Sequence, residues 1–151
     1  MKLTGLIIVV AGAFSLAAIS VAMPARNAAS RTTVSTARTG LGRIIVDGRG
    51  RTLYLFEKDR RGHSACFGSC IVYWPPLLTR SKPMARGGAK QSLLGTIKRP
   101  NGKRQVTYAG HPLYRYFQDT KRGQTNGEGS QLFGAGWDAL SPAGKKIEQD
   151  G

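Results

Sequence analysis

Three sets of side chains in this sequence could do chemistry. Asp59 and Asp119 each stand five residues after a tyrosine, in the related stretches GRTLYLFEKD (50–59) and GHPLYRYFQD (110–119). Two carboxylates brought into one cleft could hold a cation or work as an acid/base pair. The plainer role for each is to end its strand and accept N–H bonds from the turn that follows. Cys66 and Cys70, with His63 just ahead of them, form the second set. Residues four apart on a helix lie on one face with Cα atoms about 6 Å apart, inside the window of a disulfide. Reduced, the same pair with His63 would suit a soft ion such as Cu(I), or thiol redox chemistry. The third set is aromatic: Tyr54 and Phe56, Tyr114 and Tyr116, Trp74 and Trp137. Period-two spacing puts each Tyr-x-aromatic pair on one strand face, as core or as the wall of a ligand groove.

Hydrolytic chemistry finds little else to use. No serine sits in a Gly-x-Ser-x-Gly elbow, no phosphate-cradling Gly loop or HExxH helix is present, and only His63 and His111 could act as a base. His111, between Gly110 and Pro112, reads as a turn residue. The chain therefore reads as non-enzymatic and without a cofactor. A copper or thiol-redox protein using Cys66, Cys70 and His63 is the alternative, and a carboxylate-dependent hydrolase the second.

Positioning these groups falls to a small β-rich fold. Lys2, the apolar run Leu6 to Ile19 and the small-x-small site Ser20-Val21-Ala22 read as a signal peptide over residues 1–22, which implies a secreted or periplasmic protein with no transmembrane helix after cleavage. Residues 23–40, poor in large apolar side chains, read as a flexible basic tail. Residues 41–147 read as one domain of antiparallel sheet, built from two related hairpin repeats (50–76 and 110–137) with one short helix at Ser64–Trp74 that Pro75-Pro76 would stop. Arg43–Asp47 and Thr52–Lys58 form a hairpin candidate. Asn101-Gly102, between Leu93–Lys98 and Lys103–Tyr108, carries the type I′ signal, and Trp137–Leu140 reads as a last short strand.

The formal charge of +15 comes from 23 basic and 8 acidic residues in 151. Such a field draws anionic surfaces. The bases are scattered rather than massed with interleaved aromatics, so a specific nucleic-acid site is not expected. An anionic envelope polymer or surface, or a protein partner, fits the charge better.

Taken together, Tyr54-x-Phe56-x-x-Asp59, Cys66-x-Gly68-x-Cys70, Trp74-Pro75-Pro76, Gly110 to Tyr114, Tyr116, Asp119, Asn126-Gly127 and Trp137 resemble a bacterial family. It comprises predicted lipoproteins and secreted proteins that share a Yx(FWY)xxD motif, the secreted repeat with a Y-X4-D motif. The likeness spans roughly Ile44 to Gly144. It implies export and a shared fold, and carries over no catalytic residue. A cysteine for lipid attachment near the cleavage site is missing here.

Overall fold

The computed structural model describes residues 31–148, together with Gly5. The expected signal peptide, and the part of the expected tail before Arg31, lie outside that range. Nine short strands follow in order: β1 (Thr33–Thr39), β2 (Gly42–Asp47), β3 (Tyr54–Phe56), β4 (Leu78–Thr79), β5 (Met84–Ala85), β6 (Leu94–Lys98), β7 (Arg104–Tyr108), β8 (His111–Pro112) and β9 (Trp137–Ala139), with one α-helix, α1 (Cys70–Tyr73), between β3 and β4. The domain is mostly antiparallel β, as the alternation of apolar residues implied.

Three small sheets share the work. β2, β1 and β5 form one, β3 pairs with β9, and β4, β7 and β6 form the third with β8 on its flank. All pairings are antiparallel except β1 with β5. Alternation along the Tyr-bearing strands feeds two cores. Tyr54, Phe56 and Tyr114 point into one with Trp74 and Trp137, while Leu53, Leu55 and Leu113 point into the other with Ile45, Leu77 and Leu140. Both faces of these strands are buried, so a one-residue slip in register would exchange rings for leucines on both sides at once.

Four expectations need correction. Thr33–Thr39 was expected in the flexible tail. It is β1, because the Val34 side chain is buried and the whole strand pairs with β2 from Val34–Asp47 to Thr39–Gly42. The expected hairpin of Arg43–Asp47 with Thr52–Lys58 is reduced to a bridge between Val46 and Thr52, because β2 turns to β1 and β3 to β9. The helix expected over Ser64–Trp74 shrinks to Cys70–Tyr73, since residues 64–68 spend their backbone groups on side chains and turns around Asp59 and Arg99. The β6–β7 hairpin forms as expected, but its turn is wider than type I′. The Arg99 N–H meets the Lys103 carbonyl at 2.8 Å, and only Gly102 takes a positive φ.

The glycine that opens each repeat has a backbone reason. Gly50 and Gly110 have φ of +80° and +84°, a region that costs an L side chain free energy and a glycine little. Each lets the chain reverse into its Tyr-bearing segment.

Candidate functional site

The two repeats are not neighbouring units; each is completed by the other. The Tyr54 N–H donates to the Tyr114 carbonyl at 2.9 Å and the Tyr114 N–H donates back to the Tyr54 carbonyl at 3.0 Å, so a local two-fold relation passes between them. Around that pair further backbone links cross between the repeats. The Ile45 N–H donates to the Leu140 carbonyl and the Val106 N–H to the Leu77 carbonyl; Glu57 N–H reaches Gly136 and Phe117 N–H reaches Tyr73.

Side chains follow the same exchange. The Tyr54 hydroxyl donates to Asp119 at 2.5 Å and the Tyr114 hydroxyl donates to Asp59 at 2.8 Å, so each acid holds the tyrosine of the opposite repeat. The second carboxylate oxygen of each acid closes its own loop, accepting the Ala65 N–H at 2.7 Å or the Asn126 N–H at 3.0 Å. Phe56, Trp137, Trp74 and Tyr116 form a continuous ring stack with centroid spacings of 4.0, 3.9 and 4.4 Å. Here too the partners are exchanged, Phe56 of the first repeat on Trp137 of the second, and Tyr116 of the second on Trp74 of the first. Gly127 lies on this stack, where an added Cβ would come 2.7 Å from Trp74 Cη2 and 3.0 Å from Tyr116 Cγ.

The electrostatics of the two clasps follow from burial. Burial pushes the Asp59 carboxyl up to about 6, against the N–H of Ala65 and the hydroxyl of Tyr114. Burial also raises Asp119, against its bonds from Tyr54 and Asn126. Both tyrosine hydroxyls are pushed well above their ordinary range, by burial first and then by the carboxylate each one faces. These groups are protonated donors at any physiological pH. Each acid is engaged by a tyrosine and a loop, and no hydrogen bond links Asp59 to Asp119 among the described residues.

Cys66 and Cys70 are joined as a disulfide with Cα atoms 5.3 Å apart. In this form neither sulfur is a thiolate able to take a soft metal ion. His63 is exposed on a turn with Arg60, and no three His, Cys, Asp or Glu side chains among the described residues gather as a metal-binding set. His111 sits in β8 paired with Tyr108, half-buried, its pKa lowered by burial and by the Arg61 charge.

The side chains that sequence reasoning did not single out are cationic. Between Asp59 and Asp119 the sequence contains no carboxylate, although Lys and Arg recur throughout. That interval supplies β4, β6, β7 and the loop from Arg80 to Lys90. There a groove of about 700 Å³ opens between the end of β4 and the start of β7, with exposed Arg80, Lys103 and Arg104 beside Thr32, Thr79 and Ser81. Arg104 donates to the Arg80 carbonyl at 3.1 Å, which ties the two sides together. A second groove of about 320 Å³ shares Thr32 and Leu78 with the first and adds Arg31, Arg49 and Arg115. Its one acid, Asp47, is already engaged by Arg115 at 2.6 Å and Arg51 at 3.4 Å. Although burial raises Asp47, the Arg115 bond and the Arg51 and Arg49 N–H groups outweigh it and hold the carboxyl below its ordinary range. The run of bases without acids was the signal in the sequence that could have located this face.

A family model described as a secreted repeat of unknown function matches the chain twice, over residues 35–78 and 95–141. Each match contains one of the two interleaved repeats, 50–76 or 110–137. No curated protein and no solved structure matches the chain.

Proposed function

Because the chain belongs to this family of secreted repeats, and one of its grooves is lined by bases and by no described acid, we propose that it is an exported, non-enzymatic binding module for an anionic polymer of the cell envelope. The groove between Arg80 and Arg104 carries this reading: three exposed cations face one space of about 700 Å³ that no described carboxylate lines. Cations within about a Debye length, roughly 8 Å at physiological salt, reinforce one another toward a polyanion, whereas scattered ones act singly. The Ser81 hydroxyl adds a neutral donor suited to phosphate or carboxylate oxygens, whereas the hydroxyls of Thr32 and Thr79 donate to the Leu78 and Ser81 carbonyls. Export fits the family's description as secreted, and no helix among the described residues is long and apolar enough to cross a membrane.

The test is a matched charge reversal in the full chain, with inorganic polyphosphate as the probe. Arg80→Glu, Lys103→Glu and Arg104→Glu together are expected to weaken binding at least tenfold more than Lys58→Glu, Lys121→Glu and Lys145→Glu together. Equal losses in the two triples would mean that net charge alone attracts the polymer, and the reading would fall.

A further inference from the structure

We infer that Arg99 is the floor of a second, small-molecule site, which takes the oxyanion group, carboxylate or phosphate, of a small acidic ligand. The proposal does not rest on the polymer groove. Arg99 is a charged side chain only 4% exposed, yet none of the described carboxylates forms an ion pair with it. Its guanidinium donates to three neutral acceptors: Gln105 Oε1 at 2.6 Å, the Cys66 carbonyl at 2.6 Å and Ser64 Oγ at 3.0 Å. A guanidinium has five N–H donors, so two are left beyond these three bonds. Asp59 feels the Arg99 charge but forms no direct ion pair with it, and a buried cation without a direct partner is costly, so the cost falls when an anion arrives at the spare donors.

Arg99 also opens on a space. A groove of about 390 Å³ is lined by Arg99, His63, Ser64, Phe67, Ile97 and Lys98, and no described carboxylate lines it. Exposed Lys98 adds a second cation, and the Phe67 ring stacks on the guanidinium with its centroid 4.8 Å from Cζ. Phe67 is 46% exposed, so part of its surface stays free for the carbon skeleton of a ligand. The disulfide holds this wall in place, since Phe67 lies inside the ring closed by Cys66 and Cys70.

By hydrogen bonds, Asp59 reaches Arg99 only through intermediaries. Asp59 accepts from Tyr114, the Tyr114 hydroxyl bonds Ser64 Oγ at 2.7 Å, and Ser64 Oγ accepts from Arg99. This relay links the site to the first clasp while leaving the guanidinium free of a direct carboxylate. The groove lies across the β6–β7 turn from the polymer groove, because Lys98 and Arg99 flank one side of that turn and Lys103 and Arg104 the other.

The experiment is an NMR titration of the full chain with inorganic phosphate in one arm and glucuronate in the other. Saturable shifts confined to His63, Phe67, Lys98 and the Arg99 side chain are the expected result, with the stronger arm naming the oxyanion class. Lys98→Glu, on the exposed rim, is expected to weaken binding at least fivefold without changing the spectrum of the rest of the fold. Arg99→Gln is expected to abolish binding, and Arg99→Lys to recover part of it. The Arg80, Lys103 and Arg104 triple, in which Arg104 stands directly across the strands from Lys98, is expected to weaken this titration less than Lys98→Glu does, and Arg99→Gln is expected to leave polyphosphate binding in place, so the two sites fail separately. Shifts that spread over all exposed bases without saturating, or full binding in Lys98→Glu and Arg99→Gln, would overturn the proposal.

Discussion

The two clasps share their geometry and differ in what surrounds them. In both, a buried tyrosine crosses to the other repeat's aspartate, and that aspartate closes its own loop through a backbone N–H. Around Asp59 the neighbours are Ser64, a disulfide loop and a buried arginine. Around Asp119 they are Asn126 and Gly127, whose N–H groups and small size close the loop without a charge. The tryptophans differ in the same way: Trp137 Nε1 donates to the Leu132 carbonyl at 2.7 Å, whereas the buried Trp74 Nε1 has no partner among the described residues. Repetition therefore preserved the contacts that hold the two halves together. It left the loops outside them free to diverge, and the cationic grooves lie in that divergent part.

The largest effects are expected where the halves share one stack. Trp137→Ala empties the middle of the four-ring column and removes the bond to Leu132, for a loss of about 4 kcal/mol by denaturant unfolding. Trp74→Ala loses a similar ring but no hydrogen bond, and should cost less. A cost for Trp74→Ala equal to or above that for Trp137→Ala would break this side of the comparison. Gly127→Ala comes next. It drives a methyl group into Trp74 and Tyr116, at about 1–3 kcal/mol, and near-neutral behaviour would show that the stack gives way easily.

The disulfide belongs to the first repeat alone. Replacing Cys66 and Cys70 with serine opens a ring of a few residues, worth about 2 kcal/mol in the chain-entropy model. The loss should be local, seen as faster amide exchange from Ser64 to Tyr73 with the second repeat unchanged. Exchange that rises equally in both repeats would contradict the division of labour between the clasps.

The smallest effect is a slope with pH. Asp59 and Glu128 are each raised to about 6 by burial, above the unfolded carboxylate range near 4. A raised folded pKa means that the native state binds the proton more tightly, so these groups add stability below the unfolded pKa and lose it as the pH rises to about 6. Asp47, held low, acts in the opposite sense at lower pH. Stability should therefore decline between about pH 4 and pH 6, and Asp59→Asn should flatten part of that decline. A decline unchanged in Asp59→Asn would place its source elsewhere.

Much of the fold was legible because period-two alternation reports burial directly. Tyr54 and Phe56 on one face, with Leu53 and Leu55 on the other, could be read from spacing, as could the β6–β7 hairpin and the strand at Trp137. The closure of Cys66 with Cys70 was visible as one of two chemistries. What spacing could not show was which repeat supplies which partner, since an aspartate five residues after one tyrosine says nothing of the other tyrosine. β1 was hidden for a similar reason. Its side chains are mostly small or polar, and its place is set by backbone pairing to β2 and β5, with Val34 in one core and Ala37 against the other. Arg99 was one base among many until the loop that buries it was seen.

A double-mutant cycle on the clasps tests the interlocking most directly. Tyr54→Phe combined with Asp119→Asn should show a coupling energy of about 1–3 kcal/mol, the range of a hydrogen bond to a charged group, while Tyr54→Phe combined with Asp59→Asn should be additive. Coupling within the repeat, between Tyr54 and Asp59, with additivity across the repeats, would contradict the exchanged arrangement.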